Sequence, residues 1–476
     1  MSDTLKVDLC IIGAGSGGLS VAAGAVQMGA SVVLIEKHRM GGDCLNYGCV
    51  PSKALLAAGK HAHAHRTGAP FGVAAHEPQV DFAAVNAHVK GVIATIAPHD
   101  SVERFEELGC TVIQDAARFT GPRTVTAGGR TIEARRVVVS TGSSPFVPPI
   151  PGLEDTPYFT NETIFDNTDR PGHLIVVGGG PIGMEMAQAH RRLGSQVTVL
   201  EGAQALGKDD PEITAIALAN LRAEGLDIRE NALAERVEAA GAGAGPGVRV
   251  HLKGGDVVEG THLLMAVGRK PNVEGLDLEK AGIEYDKRGI TVDDKLITTN
   301  RKVFAIGDVA GGLQFTHVAG YHAGIVVRNA LFQMFWARAT TAHIPWVTYV
   351  EPEIAQVGLT EAQAREKHGS GATILRWSLE ENDRAQAERA TNGMVKVMLH
   401  GQRIVGASIV GRSAGEMIQI FAYAVANKHK IGAIAAYVAP YPTLGEAAKR
   451  AAGQYYTPKL YSDRTRGIVR FLSKFG

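Results

Sequence analysis

The chain has 476 residues, 45% hydrophobic and 20% charged, with a formal net charge of +1. That length exceeds what one hydrophobic core supports. The balanced charge gives no reason to expect a nucleic-acid or membrane partner, and no apolar run is long enough to span a bilayer. The opening Met1-Ser2-Asp3-Thr4-Leu5-Lys6 has neither n-region nor h-region of a secretory signal, so a cytoplasmic protein is expected.

In chain order, Val7-Asp8-Leu9-Cys10-Ile11-Ile12 is a short apolar run that stops at a glycine. A helical stretch and a second buried strand, residues 31–36, follow, which predicts a β-α-β unit with a parallel sheet. Between them lie Gly13, Gly15 and Gly18. This spacing serves a tight turn, close approach of a pyrophosphate, and close helix–strand packing. The helix N-terminus then faces the phosphates with its partial positive charge. Glu36 ends the second strand, where a carboxylate accepts hydrogen bonds from ribose hydroxyls.

Cys44 and Cys49 come next, four residues apart, within a glycine frame and just before the apolar helical stretch Ala54-Leu55-Leu56-Ala57-Ala58. A helix N-terminus stabilises a thiolate. A zinc site needs further ligands that the surroundings lack, and a reducing compartment argues against a structural disulfide. The pair is therefore read as redox-active. Cys10 and Cys110 lie in or beside apolar strands and read as inert packing residues. His61, His63 and His65 form an alternating run; His61 and His65 share a helical face, yet the pattern reads as an exposed helix end, and no metal site is predicted.

Pro145, Pro148, Pro149 and Pro151 mark a linker. The β-α-β grammar then returns over 174–201, with Gly178, Gly180 and Gly183 in the turn and Glu201 at the end of the second strand. An acidic residue there favours NADH over NADPH, whose 2′-phosphate it repels. Lys208 is distant in sequence from that position. Residues 241–247 predict a flexible hairpin tip. The strand-like run ending at Gly307-Asp308 predicts a return to the first domain, and from about Pro345 short strands mix with helices in an α+β style.

Residues 41–53 closely resemble the redox-active segment of the class I pyridine nucleotide-disulfide oxidoreductases, the family of glutathione reductase, lipoamide dehydrogenase and mercuric reductase. The resemblance extends to Ser140-Thr141-Gly142, to 266–272, to Ala305-Ile306-Gly307-Asp308 and to 351–361. It implies an α/β architecture of two Rossmann-like domains, the NAD domain inserted in the FAD domain, and a C-terminal α+β dimerisation domain. The implied bounds are 1–149 and 276–344 for FAD, 150–275 for NAD(P), and 345–476 for the interface.

By the same resemblance Gly13, Gly15, Gly18, Glu36, Ala117, Thr141, Gly142 and Asp308 hold FAD, with His317 beside it through its main chain. Lys53 lies near flavin N5 and pairs with Glu185, and a cation there stabilises negative charge on reduced flavin. Gly178, Gly180, Gly183, Glu201 and Gly268 hold NADH or NADPH. Cys49 is the thiol against the flavin and Cys44 the interchange thiol. A homodimer is implied, with Tyr441 and Glu446 lent across the two-fold.

Tyr441-Pro442-Thr443-Leu444-Gly445-Glu446 departs from the family's His-Pro-Thr, although the glutamate is kept. With an ordinary pKa of about 10, a tyrosine is ionised only to roughly one part in a thousand at neutral pH. It is a poor base for dithiols but a usable hydrogen-bond donor or metal-facing group. Mercuric reductases resemble the chain in having this tyrosine, but they carry a C-terminal vicinal cysteine pair, where this chain reads Arg470-Phe471-Leu472-Ser473-Lys474-Phe475-Gly476. Pro181 stands where glutathione reductase has a tyrosine lid, and a cis bond is expected at Tyr441-Pro442. The expected activity passes electrons from NAD(P)H through flavin and Cys44/Cys49 to a soft metal ion, a small disulfide or a quinone-like acceptor. Two alternatives stand beside it: a dihydrolipoamide dehydrogenase, which Tyr441 counts against, and a redox-sensing flavoprotein with little turnover, which the intact Cys44, Cys49, Lys53 and Glu185 count against.

Overall fold

The computed structural model describes residues 4–240, 247–334 and 336–475; of the expected hairpin tip, 241–246 lie outside the described residues. The chain forms two compact units, Met1–Ala205 with Leu226–Thr340, and Leu206–Gly225 with Thr341–Gly476.

In the first unit, strand Thr4–Ile12 runs parallel to Val32–Ile35 on one side and to Arg130–Val139 on the other. Val32–Ile35 is buried throughout, as a parallel strand covered on both faces must be. Parallel neighbours need a crossover, which helix Ser16–Gln27 provides. Cys10 lies fully buried in this sheet and Cys110 buried at its edge, and burial pushes the two thiols up to about 12 and about 11. Burial keeps both as protonated packing thiols.

Strand Val303–Ala305 pairs parallel with Arg130–Val139, although residues 140–302 separate them. The intervening chain builds its own parallel sheet, with His173–Val177 between Gln196–Leu200 and His262–Met265. This is the insertion of one nucleotide domain into another. The outgoing and returning chains cross side by side, Ser143–Pro145 pairing antiparallel with Arg269–Pro271.

The second unit holds a five-stranded antiparallel sheet in the order Pro345–Thr348, Glu353–Gly358, Arg403–Gly411, Met394–His400, Ala372–Ser378. Helix Pro211–Ala223 packs on this sheet, although its sequence lies within the second nucleotide-type segment. A buried cation explains the allegiance. Lys396 is 1% exposed and its Nζ meets Asp210 at 2.8 Å, Glu212 at 2.6 Å and Glu361 at 2.9 Å. An unpaired buried ammonium costs several kcal/mol, so the acidic start of that helix is held to the sheet.

Candidate active site

The two glycine loops use one construction. Gly13 has φ +103°, and a Cβ on it would lie 2.5 Å from the Ser140 carbonyl oxygen; Gly178 has φ +112°, and its Cβ would lie 2.3 Å from that of Ala266. A Cβ on Gly18 would sit 1.9 Å from Gly13 O, and one on Gly183 would sit 2.0 Å from Gly178 O. The first and third glycines are therefore required by the protein's own packing. Gly15 and Gly180 N-cap the two helices without a side-chain cap, which leaves the first-turn amides directed at whatever occupies the loop. The acid at the end of each second strand is locked beside its loop. Glu36 accepts from the amides of Ala14 at 2.7 Å and His38 at 2.8 Å; Glu201 accepts from Gly179 at 2.7 Å and Ala203 at 2.9 Å. Uncapped amides, missing Cβ atoms and a fixed carboxylate fit a dinucleotide in both places.

The loops differ in their cover. The Gly41 amide donates to Ala14 O at 2.9 Å, and a Cβ on Gly42 (φ +60°) would lie 2.7 Å from Gly15 Cα. The chain thus lies down over the first loop. A Cβ on Gly180 in the second loop would meet nothing within 4 Å.

The segment that covers the first loop carries the dithiol. Cys44 lies in the short helix Gly42–Asn46, and Cys49 is the first residue of Cys49–Arg66, so its sulfur sits where the helix dipole favours negative charge. Both cysteines are free thiols. Cys49 Sγ lies 3.4 Å from Thr316 Oγ1. A hydrogen bond from Cys44, then Thr316 and the Lys53 charge, outweigh burial and hold the Cys49 thiol down to about 6. Cys44 is pushed up from the ordinary thiol range, first by the hydrogen bond it gives to Cys49 and then by burial. In the dithiol state the proton stays on Cys44 and the charge on Cys49.

Lys53 lies one turn beyond Cys49, and its Nζ pairs with the buried Glu185 at 2.7 Å. The carboxylate comes from helix Pro181–Arg192 of the inserted domain, which packs on Cys49–Arg66 closely enough that a Cβ on Gly59 would lie 3.2 Å from Ala189 O. Pro181 occupies the first helical turn, where its missing N–H costs nothing.

A second polar network lies along the crossing strands, and sequence reasoning missed it. Arg269 Nη2 meets Asp43 Oδ1 at 3.1 Å, and its Nε donates to Ser143 Oγ at 2.7 Å. Ser143 Oγ in turn donates to Asp308 Oδ2 at 2.6 Å. Burial pushes the Asp308 carboxyl up, against Ser143 and Arg269. Arg269 thereby ties the residue before Cys44 to the acid expected on the ribityl chain. The signal was present in the 266–272 motif, but its partners are remote in sequence. Nearby, Thr141 Oγ1 donates to Asn272 O at 2.7 Å and Asn272 Nδ2 donates to Thr141 O at 3.0 Å, a clasp between the crossing chains. Gly142 and Gly268 have φ +68° and +139° with open space at Cβ. Ala117 is buried, and the His317 ring stacks on Phe315 with centroids 5.3 Å apart. The His65 ring meets that of His76 edge-on at 4.8 Å.

Tyr441 and Glu446 belong to the second unit. The Tyr441-Pro442 bond is cis, and Tyr441 is 67% exposed. Its hydroxyl donates to Asp383 Oδ2 at 2.7 Å, and the hydrogen bond and charge of Asp383 push the phenol above its usual range. Glu446 is instead engaged by Arg450 at 2.7 Å one turn along its own helix. The carboxylate that touches the side chain at 441 is therefore Asp383, and not the retained Glu446.

Residues 7–323 match the family model "Pyridine nucleotide-disulphide oxidoreductase", and residues 344–452 match that family's dimerisation domain. The chain is 35% identical over 450 residues to a mercuric reductase of Lysinibacillus sphaericus, covering 94% of this chain and 82% of that one. It is 33% identical over 480 residues to a dihydrolipoyl dehydrogenase of Thermus scotoductus, covering 94% and 96%. A solved structure, the Cu(II) complex of the HOCl-induced flavoprotein disulfide reductase RclA from Escherichia coli, is similar with a TM-score of 0.83 and 28% identity, covering 93% of this chain and 99% of that one.

Proposed function

Because the chain belongs to the pyridine nucleotide-disulphide oxidoreductase family, we propose that it uses NADH to reduce a soft, thiol-seeking metal ion at the Cys44/Cys49 pair. The enzyme class is an FAD-dependent oxidoreductase that takes electrons from NAD(P)H and acts as a homodimer. FAD, when bound, would supply the two-electron carrier between the nicotinamide and the Cys44/Cys49 pair. The protein's own residues account for the rest. The backbone amides of the first loop, with Glu36, hold the FAD dinucleotide. The open second loop, with Glu201 fixed beside it, takes a nucleotide whose ribose 2′-OH is free, which favours NADH.

The observation that carries the choice of acceptor is the geometry. Cys49 sits at a helix N-terminus beside the Lys53 charge, both of which favour its thiolate, and the Tyr441 hydroxyl donates to Asp383 at 2.7 Å rather than standing free as a base. A dithiol substrate must lose protons to a base, and a phenol held above its usual range is not one. A soft cation needs only thiolate ligands. In the proposed step Hg(II) binds both sulfurs, displacing the one proton held on Cys44, and leaves as Hg(0) with two electrons as the disulfide reforms; with Cu(II), two ions would each take one electron and leave as Cu(I). Tyr441, with its hydroxyl anchored to Asp383, contributes a neutral hydrogen bond rather than proton abstraction. The relatives include mercuric reductases, and one similar solved structure is the Cu(II) complex of a flavoprotein disulfide reductase. A reducing compartment such as the cytoplasm keeps this cycle supplied with NADH and the thiols reduced.

The test is NADH oxidation with Hg(II), Cu(II), lipoamide, glutathione disulfide, a quinone and oxygen, in wild type and Cys44→Ala. Turnover should be fastest with a soft metal ion and lost in the variant. Fast, Cys44-dependent turnover of lipoamide with none of Hg(II) or Cu(II) would replace this reading with the dihydrolipoamide dehydrogenase one.

A further inference from the structure

The dimerisation match ends at residue 452, and helix Asp463–Leu472 lies beyond it. No residue of this helix is buried. Ile468, Phe471, Leu472 and Phe475 follow the spacing of a single helical stripe. They are strongly exposed, from 50% for Ile468 to 75% for Phe475. The Phe471 and Phe475 rings meet edge-on at 5.1 Å, so the apolar surface continues past the helix end, and Leu460 and Tyr461 just before the helix are exposed as well. Arg466, Arg470 and Lys474 recur every fourth residue on the opposite face, with Lys459 before them.

The segment is also rich in cations, although Arg464, four residues before Ile468, lies on the apolar side. Residues 457–475 carry five cations and one acid, a net +4, while the whole chain carries +1, which leaves −3 for the rest. An apolar stripe awaiting a second protein copy needs no such excess, because the remainder of this chain is net negative only weakly and over a large surface. An exposed helix with aromatic and aliphatic residues on one face and most of its cations on the other matches the physics of an interfacial helix. Such a helix lies in the plane of an anionic lipid surface, with side chains inserted to the acyl boundary and cations among the headgroups.

We propose that the helix Asp463–Leu472 docks the enzyme onto an anionic lipid bilayer. Leu460, Ile468, Phe471, Leu472 and Phe475 enter the interface, and Arg466, Arg470 and Lys474 pair with headgroup phosphates. The homodimer carries two copies of the helix, so a single weak anchor becomes a pair linked through one carrier. The sequence expectation of no membrane partner rested on overall charge and on the absence of a spanning segment; a helix that lies on the surface leaves no trace in either.

The test is flotation of the full-length FAD-loaded protein with vesicles of phosphatidylcholine alone and of phosphatidylcholine mixed with phosphatidylglycerol. Binding to the mixed vesicles should exceed that to the neutral ones by roughly tenfold or more and should fall steeply with salt. Phe471→Ser with Leu472→Ser, and separately Arg466→Glu with Arg470→Glu, should each abolish flotation. NADH-dependent turnover and the dimer in analytical ultracentrifugation should be unchanged in both. Absence of wild-type flotation on the anionic vesicles overturns the proposal, as does unchanged flotation of either variant. Dissociation of the dimer by Phe471→Ser with Leu472→Ser also overturns it, because the face would then belong to the second copy.

Discussion

The two glycine loops share the same turn, the same required glycines and the same locked carboxylate, yet one is covered and the other is open. Over the first loop lies the backbone at Gly41 and Gly42, continuous with the dithiol segment; over the middle glycine of the second there is nothing within 4 Å. One construction is thus built with two different degrees of cover. On our proposal, a nucleotide under the Gly41-Gly42 cover is the resident FAD and one in the open loop is the exchanging NADH. The difference is made by the segment laid over the fingerprint, while the fingerprint itself is unchanged.

The greatest contrast between the loops should come from the cover. Gly42→Ala forces a side chain into left-handed backbone 2.7 Å from Gly15 Cα. It should cost about 2–4 kcal/mol and yield protein depleted in FAD by absorbance. Gly180→Ala should fold, keep FAD, and raise only the KM for NADH. If the two variants behave alike, the assignment of resident and exchanging sites is wrong.

An acceptor-side change should leave both loops untouched. Tyr441→His restores an imidazole, and dihydrolipoamide oxidation should rise roughly a hundredfold or more. Asp383, which already holds the hydroxyl at 2.7 Å, is the group placed to orient it. Adding Asp383→Asn to Tyr441→His should remove most of the gain, whereas Glu446→Gln should not. The rate of flavin reduction by NADH, read by stopped flow, should be the same in all of them.

Matched substitutions of the two locked acids separate the loops at smaller scale. Glu201→Gln should raise the NADPH/NADH ratio of kcat/KM by roughly tenfold, since a charge repelling the 2′-phosphate is removed. Glu36→Gln should instead weaken FAD retention and leave that ratio alone.

A subtler change is a shift in titration. In the reduced enzyme, the long-wavelength absorbance of a Cys49 thiolate against oxidised FAD should fade on acidification with a midpoint near about 6. The thiol is depressed from an ordinary 9.0. The stability it adds to the dithiol state is therefore complete above that ordinary value and lost as pH falls through the depressed one. Thr316→Val should move the midpoint upward, as it removes the hydroxyl 3.4 Å from Cys49 Sγ.

Much of this was legible in the sequence because its causes are local. The glycines of each fingerprint answer to a turn and a helix that begin within a few residues, and the acid closes the next strand. The Cys44/Cys49 frame and the helix after it were legible for the same reason. What stayed hidden depends on contacts between distant segments. Asp383 is 58 residues from Tyr441, and nothing in its neighbourhood marks it. Ser143 and Asp43 reach Arg269 only where the outgoing and returning chains cross. Helix Pro211–Ala223 follows the second fingerprint in sequence but joins the other unit, held by Lys396 from a strand far downstream. The exposed face of Asp463–Leu472 was spelled out in the sequence, but only its burial state shows that no other described part of the chain covers it.

Whether electrons leave through the dithiol is decided by a double-mixing stopped-flow experiment: reduce wild type and Cys44→Ser with NADH, then add Hg(II), following flavin absorbance. The flavin should be reduced at the same rate in both. In wild type the electrons then pass to the dithiol, leaving oxidised flavin with the long-wavelength band that Hg(II) discharges, whereas Cys44→Ser keeps reduced flavin that Hg(II) does not reoxidise. Reoxidation of the Cys44→Ser flavin by Hg(II) as fast as wild type loses its band would contradict an exit through Cys44 and Cys49.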